Sequence, residues 1–108
     1  NETRNFSAGE TIFSEGEASS QMFGVVSGAV DLLKDGELVV RIGAGGTFGE
    51  MGIIDGAPRS LSAVASELSE IAVIDQRTFL FLVQETPMFA LQVMRSLASR
   101  IRELDQAG

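Results

Sequence analysis

From Gly45 to Ser60 the chain reads Gly-Gly-Thr-Phe-Gly-Glu-Met-Gly-Ile-Ile-Asp-Gly-Ala-Pro-Arg-Ser, and its chemistry centres on Glu50 and Arg59. Flexible glycines lead into a short helix-prone segment, Glu50 to Ile54. The first turn of a helix presents unpaired N–H groups and a partial positive charge, which together attract anions. Gly49 allows a ligand to approach the backbone at that point, and Pro58 fixes the chain just ahead of Arg59. An Arg can grip a phosphate with two parallel hydrogen bonds, each charge-assisted and worth about 1.5–3 kcal/mol. Glu50 does not fit a bare phosphate, because a carboxylate repels one. It fits if the ligand also offers a hydroxyl, such as a ribose 2′-hydroxyl. An acceptor, a cation and a row of backbone donors together suggest a sugar-phosphate.

These residues need a frame, and the spacing of Gly supplies one. Gly9, Gly16, Gly28, Gly36, Gly43, Gly45 and Gly46 punctuate the first half of the chain. Between them lie short β-rich runs at Thr11–Phe13, Met22–Ser27, Ala29–Leu33 and Leu38–Ile42, with two more at Leu61–Ala65 and Ile71–Ile74. Short strands at this spacing predict an antiparallel sandwich or roll, not βαβ units. Asp35-Gly36 predicts a two-residue hairpin, since a type I′ turn needs positive φ at both central positions. From Asp75 the character changes: Phe79, Leu82 and Val83 fall at helical spacing. Thr86-Pro87 then restarts the chain, with Thr86 as N-cap and Pro87 in the first turn. Ala90, Met94, Leu97, Ile101 and Leu104 form an apolar stripe on this second helix. The expectation is one domain over 1–108: a β-roll over 1–75, its anion-binding segment at about 45–60, and C-terminal helices over 76–108.

Composition narrows the chemistry. The 108 residues contain no His and no Cys, which removes His-dependent triads, thiol nucleophiles and Cys/His zinc sites. No disulfide is available to indicate an oxidising compartment, and the expected location is cytoplasmic. Eight basic against fifteen acidic residues give a net charge of −7, the wrong sign for a nucleic-acid polymer surface. Any anion must be caught by a local device. The apolar run Phe79–Val83 is far short of the roughly twenty residues of a membrane span.

Phe48-Gly49-Glu50-x-Gly52 followed by Pro58-Arg59-Ser60 resembles the phosphate-binding cassette of the cyclic nucleotide-binding domain family. The similarity extends to Ala8-Gly9-Glu10-x-Ile12-Phe13-x-Glu15-Gly16, to Val26-Ser27-Gly28, and to the closing helices. It implies a mainly β fold, an eight-stranded antiparallel, jelly-roll-like β-roll with the cassette helix inside and a helical lid at the C-terminus. It implies that Arg59 binds a cyclic phosphate and Glu50 a ribose 2′-hydroxyl, with backbone N–H groups near Gly49 and Ser60 completing the cage. The binding set is then Phe48, Gly49, Glu50, Met51, Gly52, Arg59, Ser60 and Leu61. Ser60 does not choose the base: a hydroxyl there accompanies guanine recognition in some members, while bacterial adenine-binding regulators also carry Ser. The expected ligand is cAMP, with cGMP as the alternative, and no metal. Leu61 departs from the small residue usual at its position, which predicts crowding of the cage. The resemblance also implies a helix ahead of the first strand, which is not among these residues.

Plainer readings stand beside these. The expected role is a regulatory binding module and not an enzyme. Its alternative is a degenerate domain that only docks or dimerises, and the effector is open. The Phe residues, Phe79 and Phe81 especially, are expected in the core, and Glu2, Glu15, Glu17, Glu67 and Glu70 on a solvated surface. The Ala90–Leu104 stripe is expected to pack against the roll, with pairing of two copies into a homodimer as the alternative.

Overall fold

Strand β3 (Gln21–Ser27) and strand β8 (Ser69–Asp75) show how one sequence serves two cores. They pair antiparallel, with Met22 opposite Ile74 and Phe23 opposite Val73. Successive side chains on a strand point to opposite faces. Phe23, Val25, Ile71 and Val73 therefore enter the roll, joining Phe13, Val30, Leu32, Ile42, Phe48 and Ala63. Met22 and Ile74 face the other way, against Val93, Phe79, Leu82, Phe89 and Leu97 of the helices. Where a strand is buried on both sides it must be apolar on both, as Met22-Phe23 of β3 and Ile71–Ile74 of β8 are.

The computed structural model describes residues 2–107, with side chains to 102. The remaining strands are β1 (Glu2–Phe6), β2 (Thr11–Phe13), β4 (Ala29–Lys34), β5 (Glu37–Gly43), β6 (Thr47–Phe48) and β7 (Ser62–Ala65). They form two antiparallel four-stranded sheets, ordered β1-β8-β3-β6 and β2-β7-β4-β5, packed face to face as a β-roll. Helix α1 (Met51–Ile54) follows β6, and α2 (Gln76–Glu85) and α3 (Pro87–Ala107) close the chain. The Asp35-Gly36 turn joins β4 to β5 with φ of 51° and 82°, as a type I′ turn requires. Asp75 caps α2 by accepting from the Thr78 N–H at 2.8 Å. The Thr86 carbonyl accepts from Phe89 N at the start of α3.

Four expectations need correction. Strands β1 and β6 were not foreseen. β1 is a polar edge held by its ladder to β8, from Glu2 opposite Val73 to Phe6 opposite Ser69, so hydrogen bonding and not apolar alternation makes it a strand. β6 is only Thr47–Phe48, too short to carry a pattern. Phe81 is 61% exposed on the outer side of α2, whereas Phe79 is packed inside against Phe89. The stripe on α3 is rotated from its expected place. Phe89, Val93 and Leu97 face the roll, whereas Met94 and Ile101 are 57% and 59% exposed. Leu104 lies outside the described side chains. Glu15 is half-buried and not simply solvated: it accepts from the Asp35 N–H at 2.9 Å and pairs with Lys34 at 3.2 Å, and these contacts hold its carboxyl below the usual range.

Candidate functional site

The turn after β6 sets the site. Gly49 has φ +77°, a conformation that side-chain-bearing residues rarely adopt, and a Cβ there would lie 2.9 Å from Arg59 Nη1 and 3.2 Å from Phe23. A Gly at this position therefore serves both the turn and the close packing. Glu50, at the N-terminus of α1, turns inward and is completely buried. Gly52 is buried behind it with the Ser19 hydroxyl against its Cα, and Met51 faces outward at the rim.

The Glu50 carboxylate is held by one oxygen. Oε2 accepts from Thr47 Oγ1 at 2.7 Å and from Arg100 Nη2 at 2.7 Å. Arg100 reaches down from α3 and also donates to the Thr47 carbonyl and to Ser96 Oγ. Oε1, equally buried, has no hydrogen-bond partner. An unmet buried acceptor costs about 1–3 kcal/mol unless a donor arrives.

Arg59 is positioned by backbone carbonyls and not by an acid. Nη1 donates to Gly49 O at 2.9 Å and Nη2 to Gln21 O at 2.8 Å, while its own N–H donates to Glu17 O. Both Nη groups are thus partly occupied, which differs from a fork wholly turned to a ligand. The buried Nε has no partner, and one hydrogen remains on each Nη. Burial pulls the guanidinium below the usual Arg range, with the charges of Glu17 and Glu50 opposing that pull. It remains a cation at neutral pH.

Arg59 and Arg100 border a small, partly open cleft of about 50 Å³, which Glu50 itself does not line. Arg59, Gly49, Gly52 and Arg100 line it at the polar end, with Phe13, Leu32, Met51 and Leu61 along its apolar side. Ser60 borders it and is exposed, and its carbonyl accepts from Lys34 Nζ at 3.5 Å. Leu61 is half-buried and packs on the roll core, so part of its bulk is turned away from the cleft. Phe48 is fully buried in the core behind the turn, 5.3 Å ring to ring from Phe23, and supports the site without lining it.

The structure brings Gly49, Glu50, Gly52 and Arg59 together, as the sequence reading expects, and places Thr47, Phe13 and Arg100, which that reading does not include, against them. Thr47 stands three residues before Glu50, a spacing at which side chains meet. Arg100 falls seven residues after Val93, in line with the inward face of α3. A lone Arg on an otherwise apolar helix face was the available signal.

The profile of the cyclic nucleotide-binding domain family matches residues 3–86. The chain belongs to that family. It is 33% identical over 107 residues to the cyclic AMP receptor protein of Thermus thermophilus, an alignment covering 94% of this chain and 50% of that relative. The crystal structure of the Thermus thermophilus catabolite activator protein superposes with a TM-score of 0.83 at 32% identity, over 98% of this chain and 52% of that one. A structure described as "A cyclic-GMP-dependent signalling pathway regulates bacterial phytopathogenesis" superposes with a TM-score of 0.78 at 35% identity, over 93% and 84% of the two chains. This chain spans half the length of the Thermus relative.

Proposed function

We propose that the domain binds a cyclic mononucleotide, cAMP before cGMP, and passes the binding event to α3. One observation carries the reading. Glu50 Oε1, an acceptor, and Arg59 Nε, a charged donor, are both buried and both without partners, and they flank the same turn at Gly49. A ribose 2′-hydroxyl satisfies the first and a cyclic phosphate the second. The residues therefore fit the ligand class, and they do so without a metal. Phe13, Leu32 and Leu61 supply the apolar side on which a base would lie. The Thermus relative named for cyclic AMP supports adenine as the base.

The output would run through Arg100, which ties α3 to the carboxylate that takes the ribose hydroxyl. A ligand shifts α3 only by the difference in its affinity for two arrangements of that helix. Cyclic mononucleotides are internal messengers, so the domain is read as cytoplasmic and regulatory, with no catalytic step. The exposed Met94 and Ile101 side of α3 is where a second copy would pair.

Calorimetric titration with cAMP and cGMP tests the proposal. The expected result is micromolar binding, about −8 kcal/mol, with cAMP the tighter. Folded protein that gives no heat with either nucleotide up to millimolar concentration overturns it, and tighter cGMP binding reverses the assignment of the base. Sedimentation of the same samples tests pairing, which a monomer with and without nucleotide would exclude.

A further inference from the structure

The Arg59 guanidinium lies over a ring and beside no acid. Its Cζ stands 4.1 Å from the centroid of Phe13 and 5.5 Å from that of Phe23. Among the described residues no carboxylate comes within ion-pair distance of it. Glu50, its neighbour across Gly49, is engaged by Arg100 instead. Glu17 and Glu50 act on it only through space. A partly buried cation is costly unless something else meets its charge. Two backbone carbonyls do so in the plane of the guanidinium, and an aromatic face does so above it.

We propose that Phe13 is a positioning residue of the anion site: its π face holds Arg59 flat and stands in for a carboxylate counter-ion, leaving the positive charge available to a ligand phosphate. The inference rests on the cyclic-nucleotide reading of the cleft. A carboxylate in the same place would fix the guanidinium equally well but would compete with the phosphate for it. A ring attracts the cation without neutralising it. The ring cannot swing aside, because it is wedged against Phe23 and Phe48 at 5.7 Å and 6.0 Å. Gly49 sits beside both groups, where a Cβ would meet Arg59 Nη1 at 2.9 Å and Phe13 Cε2 at 3.5 Å.

Fluorination separates this role from packing, since it drains the negative face of a ring while changing its size little. The full chain is prepared with 4-fluoro-, 3,5-difluoro- or 3,4,5-trifluorophenylalanine at position 13. Affinity for cAMP and cGMP is measured by calorimetry, and the melting midpoint without nucleotide by scanning. Stepwise loss of affinity, to about fivefold at three fluorines, with a modest fall in midpoint in the same order, is the expected result. Affinity that does not follow fluorine number overturns the proposal. So does a fall in midpoint with affinity unchanged, because that is packing alone. Binding of neither nucleotide by the unsubstituted chain removes the cyclic-nucleotide reading itself and this inference with it.

Discussion

Arg100 of α3 donates to the fully buried carboxylate of Glu50 at 2.7 Å, joining the last helix to the first turn of the shortest one. The pair is shielded from water: Arg100 is mostly buried and Glu50 completely so. Removing one member of a buried pair strands the other, at a cost of about 3–5 kcal/mol. Arg100→Met is expected to lower stability by that order in chemical denaturation and to speed hydrogen exchange in α3. Arg100→Lys should recover only part, because Nη2 alone serves Glu50, Thr47 and Ser96 and the ammonium of the shorter Lys side chain stops short of that point. An Arg100→Met protein as stable as the parent would show that the ion pair does not anchor the helix.

Arg59 carries the charge of the proposed phosphate site. Arg59→Leu keeps an apolar side chain while removing the cation, and should weaken nucleotide binding by at least about a hundredfold. Near-parental far-ultraviolet circular dichroism would confirm that the fold survives. Retained affinity would place the phosphate elsewhere.

Gly49 is expected to tolerate no side chain. Gly49→Ala combines φ of +77° with a Cβ at 2.9 Å from Arg59 Nη1. The backbone strain alone costs of order 1–3 kcal/mol. The unfolding midpoint should fall, and nucleotide affinity should fall further than in Gly43→Ala, where a Cβ meets nothing within 4 Å. Equal effects at the two positions would refute the role assigned to Gly49.

Asp75 gives a pH dependence with a definite sign. Its carboxyl lies below the ordinary value because it accepts from the backbone N–H of Thr78 and then from the Thr78 hydroxyl. A group whose folded value is depressed stabilises fully above its unfolded value and ceases to do so as pH falls through the folded one. The melting temperature should therefore drop as pH falls from about 5 towards 3, more steeply in the parent than in Asp75→Asn, which keeps a cap but has no charge to lose. Identical slopes would exclude Asp75 as a contributor.

Glu50 and Arg59 were legible in the sequence because their spacing is local: both sit in one glycine-framed loop whose residue types fit few other purposes. The strands β3, β4, β5, β7 and β8 were legible for a similar reason, since period-2 burial and Gly turns write themselves into short stretches. The face of α3 was not. Ala90-Met94-Leu97-Ile101 and Phe89-Val93-Leu97 are both helical stripes, they share Leu97, and apolarity alone favours the first. The second wins because Ser96 and Arg100 beside it find acceptors on Thr47 and Glu50. Polar bonds across about fifty residues of chain are invisible to a periodicity.

The sequence by itself determined the strand pattern, the family and the local frame that holds Glu50 and Arg59, each of which depends on neighbours along the chain. Only the tertiary structure decided what those two groups are free to do. It spends one oxygen of Glu50 on Arg100 and leaves the other unmet, and it sets Arg59 on Phe13 in place of a carboxylate. Burial makes that division matter: where atoms are shielded from water, an unpaired acceptor and an unneutralised cation are strong invitations to a ligand, whereas in an exposed loop the same residues would be satisfied by solvent.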